Sequence, residues 1–338
     1  MKIVKGWAQL EPKGKLVPIE YELSPLNSEE VEVEIDNCGL CHTDLNALNG
    51  AFGLPYPIVA GHEITGKIVR IGEVAKTKGL SVGQTVGIGW NKESCGHCDP
   101  CLNGDPHLCT TLKATILTGH GGFASRIKAH WLWVIPIPEG IRAADAGPLF
   151  CAGITVFYPL LAYEAKPTDR IGVFGIGGLG HLAVQFARAW GSEVVAFSSS
   201  TDKQEEIVKL GADYVVTSRH TSAWEALKGK FDLIVITVGA ALEWDKILEL
   251  LSPKGRMHFV GIPFDAIPVN VLSVLIPQLH ISASPGGSRW AIDKMLRFAA
   301  RHKIAPIVEH FPMSRINEAI EHLESGKAKY RVVLDADF

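Results

Sequence analysis

Arg170–Trp190 reads RIGVFGIGGLGHLAVQFARAW. The compact run RIGVF is followed at once by Gly175, Gly177 and Gly180 in a G-x-G-x-x-G arrangement. Leu179, Leu182, Ala183, Phe186, Ala187 and Trp190 then recur at helical spacing, one apolar face to lay on a sheet. Strand, glycine turn and helix in that order predict the first βα unit of a dinucleotide-binding fold. The glycines let the backbone pass close to a pyrophosphate held at the helix N-terminus, with Gly178 and Leu179 completing the turn. The glycine pattern alone is weak; its place between a strand and a helix gives it weight.

Working outward, five further β-rich runs follow RIGVF at the spacing of βα units: EVVAF, DYVVT, FDLIVIT, RMHFVG and LHISA. The six together predict a doubly wound parallel sheet. Before about residue 150 the rhythm differs. VEVEI, ITGKIVRIG, TVGIGW, FASRIKA and LWVIPIP are short, alternating and broken by Gly and Pro, which predicts an all-β first domain. After about Ser288 come a helical segment, the extended piece IVEHF, a helix over Ile316–Ser325 and the strand YRVVL. A strand after a complete six-stranded sheet predicts a return to the first domain. The expected division is therefore 1–151 with 289–338 as one domain and 152–288 as an insertion between its halves.

The bulk properties exclude several classes. The 338 residues are 47% hydrophobic, enough for two cores, and 33 basic against 36 acidic side chains give a formal charge of -3 without runs of like charge. Neither nucleic acid nor a membrane is expected as a partner; a small molecule is. MKIVKGWAQLEPKGK lacks the apolar core of a signal peptide, and FDLIVITVGAAL is too short and Gly-interrupted to span a bilayer, which reads as a cytoplasmic protein. Seven cysteines without an export signal point to metal ligation before disulfides.

The second strand of the sheet bears on the choice of cofactor. NAD enzymes place an acidic residue near its end to hold the ribose hydroxyls. Here the chain carries Ser198, Ser199 and Ser200, with Lys203 close behind. Hydroxyl donors and an ammonium suit a 2′-phosphate that a carboxylate would repel, so NADP is expected. A solvated serine turn that does not discriminate is the bland alternative.

Cys95, Cys98, Cys101 and Cys109 fall in CGHCDPCLNGDPHLC, among residues that permit tight turns. Four thiolates in one loop fit a closed tetrahedral zinc site of structural character. A zinc-knuckle nucleic-acid module is the rival use, and the net acidity speaks against it. CGLCHTD, Cys38–Asp44, has the spacing of a redox dithiol, but the preceding VEVEI alternates as a half-exposed antiparallel strand, which is not thioredoxin context. GHE at Gly61–Glu63 offers His62 with an adjacent carboxylate, and Cys151 remains over. Spacing alone does not assemble these into a catalytic metal site.

GHE, the CHTD run, the four-cysteine loop, LFCAGITVF, GIGGLGH and YRVVL together resemble the zinc-dependent medium-chain alcohol dehydrogenases. The resemblance is to the cinnamyl alcohol dehydrogenase branch and its bacterial broad-substrate, NADPH-dependent aldehyde reductases, and it runs almost the length of the chain. It implies an α/β protein: a β-rich, GroES-like catalytic domain and a Rossmann domain. It implies two zinc ions per chain, the catalytic one on Cys41, His62 and Cys151 and the structural one on Cys95, Cys98, Cys101 and Cys109. It makes Glu63 a carboxylate able to approach the metal, Asp44 the residue that orients the histidine ligand, and Thr43 the hydroxyl that contacts the alcohol or alkoxide. His42 and Arg331 match positions near the cofactor pyrophosphate, and Thr155 one near the nicotinamide. Cys38 is then a packed, inert thiol. Asn46 stands where many relatives carry a relay histidine. A homodimer formed through the nucleotide domains is likewise implied.

The expected activity is reduction of aldehydes, and oxidation of primary alcohols, with NADP(H). Small side chains at Ala114 and Pro285, where plant relatives tend to present bulky aromatics, suggest a broad substrate range. A sugar or polyol dehydrogenase of the same fold is the alternative, and a noncatalytic NADP-binding protein a more distant one.

Overall fold

Glu30–Leu40 forms the longest strand of the computed structural model, which describes residues 3–200, 202–263 and 265–338. Its alternation is only partly the half-exposed kind. Glu34 is exposed, but Glu32 is buried. Flanking strands bring guanidinium groups to both: Arg126 donates to Glu32 at 2.8 Å and to Glu34 at 2.7 Å, and Arg70 donates to Glu32 at 3.1 Å. A carboxylate is held inside a sheet only with such partners, since its desolvation otherwise costs several kcal/mol.

This strand is central to one of two units, Met1–Cys151 with Ser288–Phe338. The main sheet of that unit runs Val308–Pro312, Arg331–Asp335, Glu30–Leu40, Glu63–Ile71, Thr85–Ile88 and Ile135–Pro136, with Arg126–His130 also paired to Glu30–Leu40. Only Val308–Pro312 and Arg331–Asp335 are parallel; every other pair is antiparallel. The unit is β-rich rather than all-β, because the helices His42–Leu48, Arg289–His302 and Ile316–Glu324 belong to it. Val31, Val33, Ile35, Ile64 and Ile68 of the two longest strands meet Phe123, Val332 and Leu334 in one core.

Close approach to the sheet explains two glycines. A Cβ on Gly87 would lie 2.1 Å from the Phe150 ring, and one on Gly147 would lie 2.4 Å from the Glu63 carbonyl oxygen. The turn Gly147–Phe150 thus rests directly on the strands and delivers Cys151 at its end.

The second unit, Ala152–Gly287, is the doubly wound sheet. Its strands run Tyr214–Thr217, Glu193–Ser198, Arg170–Phe174, Phe231–Ile236, Leu251–Phe259 and His280–Ala283, all parallel, which is the 3-2-1-4-5-6 order of a Rossmann fold. All six strand runs read from the sequence are present. Phe174 stacks on Phe197 at 4.0 Å between ring centroids, with Trp224 edge-on to both, and these fill one side of the sheet. In the helix Gly180–Trp190, Leu182, Ala183, Phe186 and Ala187 are buried as their spacing predicts; Leu179 and Trp190 at either end are half-buried. Among the described residues no single helix is long and apolar enough to cross a membrane.

Candidate functional site

Cys41 sits where the strand Glu30–Leu40 ends and the helix His42–Leu48 begins, so it is the second cysteine of CGLC, not the first, that lies at a helix start. Its backbone N–H donates to Asp44 Oδ2 at 3.0 Å, a helix-capping contact. The other oxygen of Asp44 accepts from the Gly61 N–H at 2.9 Å and lies 2.9 Å from His62 Nδ1. Asp44 is fully buried, so three polar contacts replace the water it has lost. A carboxylate only accepts, which places the His62 proton on Nδ1 and leaves Nε2 to face Cys151 Sγ at 3.2 Å. Burial works against a charge on His62, and Asp44, with help from Cys41, outweighs it, raising the pKa well above the usual range. An electron-rich, fixed imidazole is what a metal donor requires.

Cys41, His62, Glu63 and Cys151 offer ligand atoms that all lie within 4.8 Å of one another. The hydrogen bond from Cys151 is the main reason the Cys41 thiol is pushed well below its ordinary pKa, with His62 and Arg331 adding to it against burial. Glu63 is buried, and burial raises its pKa while the Arg331 guanidinium opposes that rise. Arg331 pairs with Glu63 Oε1. Glu63 Oε2 has no hydrogen-bond partner among the described residues. An orphaned buried oxygen beside two thiols and an imidazole fits a divalent soft-to-borderline ion such as zinc. Gly39 makes room for it: a Cβ there would lie 2.0 Å from Glu63 Oε2.

Thr43 is half-buried, and its Oγ1 accepts from Cys41 Sγ at 3.7 Å. His42 is exposed one residue before it, and Asn46 is half-buried on the same helix. Trp90 stands edge-on to His62 at 5.6 Å, and Phe52 lies 6.2 Å from Trp90, so aromatic rings flank the cluster. Cys38 is fully buried and its pKa raised well above normal by desolvation, the properties of an unreactive thiol.

Cys95, Cys98, Cys101 and Cys109 form a second cluster, again with sulfurs within 4.8 Å. Four thiolates around one zinc stand about 3.8 Å apart at the usual bond length, so the set fits. Gly96 and Gly104, at φ 75° and 90°, make the turns that bring the four together. Backbone N–H groups point at the sulfurs: Cys95 N donates to Cys109 Sγ at 3.3 Å and Cys98 N to Cys95 Sγ at 3.4 Å. Similar bonds from Thr110 and Cys101 bring the Cys98 thiol down to about 6.

In the second unit the three motif glycines divide three tasks. Gly175 has φ 88°, and a Cβ there would lie 2.2 Å from Val238 Cγ1. A Cβ on Gly180 would lie 1.9 Å from the Gly175 carbonyl oxygen, so it allows the helix to close on the turn. A Cβ on Gly177 would meet nothing within 4 Å. No protein atom requires glycine there, whereas the close approach of a pyrophosphate would, so the residues fit a dinucleotide. Gly178 and Leu179 are half-buried between them. Ser198 is largely buried, donating to Ser200 O at 3.0 Å and accepting the Ser200 N–H at 3.1 Å, while Ser199 and Lys203 are exposed. Thr155 is half-buried in the helix Ala152–Ala162.

Two features escaped the sequence reading. Arg331 and Glu63, assigned to separate tasks, are one buried ion pair. Thr237, at the end of the FDLIVIT run, donates to Gly175 O at 2.6 Å and to Phe174 O at 2.9 Å, tying the glycine turn to the neighbouring strand. A threonine closing the fourth strand was the available signal for the second; the first had none.

Fold and clusters together define a zinc-binding dehydrogenase, and the chain belongs to the alcohol dehydrogenase family. Residues 27–139 match the alcohol dehydrogenase GroES-like domain, and residues 178–301 match the zinc-binding dehydrogenase domain. The chain is 47% identical to the aldehyde reductase AdhA of Synechocystis sp., over 98% of each chain. A cinnamyl alcohol dehydrogenase from Sorghum bicolor has the same fold with a TM-score of 0.92 at 33% identity, covering 99% of this chain and 98% of that one. A cinnamyl alcohol dehydrogenase from Helicobacter pylori, solved in complex with NADP(H), has a TM-score of 0.89 at 27% identity, covering 98% of each.

Proposed function

We propose that this chain is a zinc-dependent alcohol dehydrogenase that works with NADP(H), chiefly as a reductase of a broad range of aldehydes. The observation that carries the reading is the cluster of Cys41, His62 and Cys151, with His62 oriented by Asp44 and Glu63 close by. Zinc held by the three ligands supplies Lewis acidity to a carbonyl oxygen, and a bound nicotinamide supplies the hydride. Three ligands leave an exchangeable position for the substrate, whereas the four cysteines close the other site.

The side chains then have defined work. Asp44 fixes the ring of His62. Glu63, held by Arg331, would be able to approach a metal bound by Cys41, His62 and Cys151. Thr43 Oγ1 donates a proton to the substrate oxygen as reduction proceeds. Asn46 neither gives nor takes a proton at neutral pH, so transfer beyond Thr43 runs through His42 or water. The turn Gly175–Gly180 cradles the pyrophosphate, Ser198, Ser199 and Lys203 face the 2′-phosphate, and Thr155 lies toward the nicotinamide. The sequence similarity to an aldehyde reductase supports this direction of reaction, and the solved relative with NADP(H) supports the cofactor.

The reading includes a cytoplasmic homodimer. Val271, Leu272, Leu275 and Ile276 are each at least 63% exposed beside the open edge strand His280–Ala283, a hydrophobic patch that supports assembly of two copies through the nucleotide unit.

The test is Cys151→Ser. The variant is expected to remain folded with one zinc per chain and to lose turnover of aldehydes with NADPH, while the wild type holds two. Near wild-type activity in this variant refutes the ligand assignment. A kinetic panel of aliphatic, aromatic and sugar aldehydes then separates an aldehyde reductase from a sugar or polyol dehydrogenase.

A further inference from the structure

The segments that supply the candidate catalytic centre are joined, a few residues from it, by polar groups with no part in the chemistry above. Asn37 lies on the strand Glu30–Leu40, which ends just before Cys41, and Asp335 follows Arg331 on the adjacent strand; Asn37 and Asp335 are cross-strand partners. Asn37 Nδ2 donates to Asp335 Oδ1 at 2.7 Å. The same oxygen lies 2.7 Å from His310 Nδ1. On the other side of the ring, His310 Nε2 lies 2.9 Å from Asp145 Oδ1. Asp145 belongs to the short helix Ala143–Ala146, which runs through Gly147–Phe150 into Cys151.

Both groups flanking the ring are carboxylates, which only accept. A neutral imidazole has one N–H and satisfies one of them; the imidazolium satisfies both. The other charged groups nearby leave this arrangement intact. Arg142 holds Asp145 through two hydrogen bonds of 2.5 and 2.6 Å, and Glu309, next to His310 on its strand, is taken up by His322 at 2.6 Å.

We propose that His310 is a positioning residue: the strut Asp145–His310–Asp335, continued to Asn37, holds the segments bearing Cys41, Arg331 and Cys151 at the separation that a metal bound by Cys41, His62 and Cys151 requires. The inference rests on the zinc reading above and adds a residue that touches neither metal nor substrate. Burial works against the charge on His310, and Asp335 and Asp145 outweigh it, so its pKa is raised. The strut is therefore complete below the ordinary histidine range and weakens as pH rises through the raised value.

The experiment follows zinc release from the intact holoenzyme into excess chelator, with an indicator dye, for wild type, His310→Ala and His310→Arg between about pH 6 and 9. His310→Ala is expected to release one of its two zincs roughly three- to tenfold faster than wild type, the loss of charged hydrogen bonds discounted for partial exposure, and the other at the wild-type rate. A guanidinium bridges two carboxylates at every pH in this range, so His310→Arg should restore slow release. Release from the wild type should quicken relative to His310→Arg as pH rises. If His310→Ala does not fold, Asp335→Asn, which keeps the side chain's shape and removes its charge, is measured in its place with the same expectation. Unchanged release, equal acceleration of both zincs, or a lowered melting temperature with no selective release overturns the strut. A wild type that binds one zinc overturns the zinc reading and the strut with it; two zincs with unchanged release overturn the strut alone.

Discussion

Ser198 shows how a residue can be found by composition while its local contacts stay hidden. A serine run where NAD enzymes carry a carboxylate was legible from the glycine spacing, but not that the Ser198 hydroxyl is occupied by Ser200. Ser199 and Lys203, by contrast with Ser198, are exposed. If Lys203 holds the 2′-phosphate as proposed, losing its ammonium would remove a charge-assisted bond worth about 1.5 to 3 kcal/mol, or roughly ten- to a hundredfold in affinity. Lys203→Ala should therefore lower kcat/KM for NADPH by about that factor while leaving NADH nearly unchanged. Adding Ser198→Asp supplies an acceptor for the ribose and repels the phosphate, and the double variant should prefer NADH. The ratio of kcat/KM for the two cofactors with one aldehyde measures this; a double variant still favouring NADPH refutes the assignment. Cys41, His62 and Cys151 were beyond residue-level reading altogether, because their separations in sequence carry no local periodicity, and only the family resemblance joined them. The four cysteines of CGHCDPCLNGDPHLC were legible without it, because one loop closes that site.

At the level of elements, turns and alternation read well where the contacts are local. The six strands of the nucleotide unit overlap the runs read for them, and the helix Gly180–Trp190 follows its pattern, but the fifth strand begins at Leu251, well before RMHFVG. VEVEI was read less well, since the burial of Glu32 depends on Arg126 from a strand far along the chain. The glycine turn yields a sharper test than its pattern does. Gly180→Ala drives a Cβ into the Gly175 carbonyl, so the unit should lose about 1 to 3 kcal/mol of stability, seen as a lowered midpoint of denaturant unfolding. Gly177→Ala meets no protein atom and should leave that midpoint unchanged while raising the KM for NADPH roughly tenfold. Equal effects of the two changes on stability would contradict the division of tasks. Thr237 belongs to the same turn and marks why such a motif needs its partner strand to hold its shape.

For the whole molecule, Val271, Leu272, Leu275 and Ile276 are the exposed apolar residues through which the proposed dimer would assemble. On that proposal the wild type should sediment as a dimer and Ile276→Lys together with Leu272→Lys as a monomer, with both zincs retained; a monomeric wild type, or a dimer that survives the change, refutes assembly through this face. The alternation of strand and helix announced the nucleotide unit, and the shift of rhythm near residue 150 announced its beginning. The central place of Arg331–Asp335 beside Glu30–Leu40 was not legible, because pairing across some three hundred residues leaves no mark on local sequence. That pairing bears on birth at the ribosome. Chains are made from one end, and domains fold as units while synthesis continues. The nucleotide unit is continuous and can fold as soon as it emerges. The catalytic sheet cannot: its inner strand, and the arginine that neutralises Glu63, are translated only after the whole insertion. Until then the nascent sheet has a short open seam at Asn37–Leu40, the part of that strand's edge which Arg126–His130 does not cover, and an open strand edge is a template for pairing with other chains.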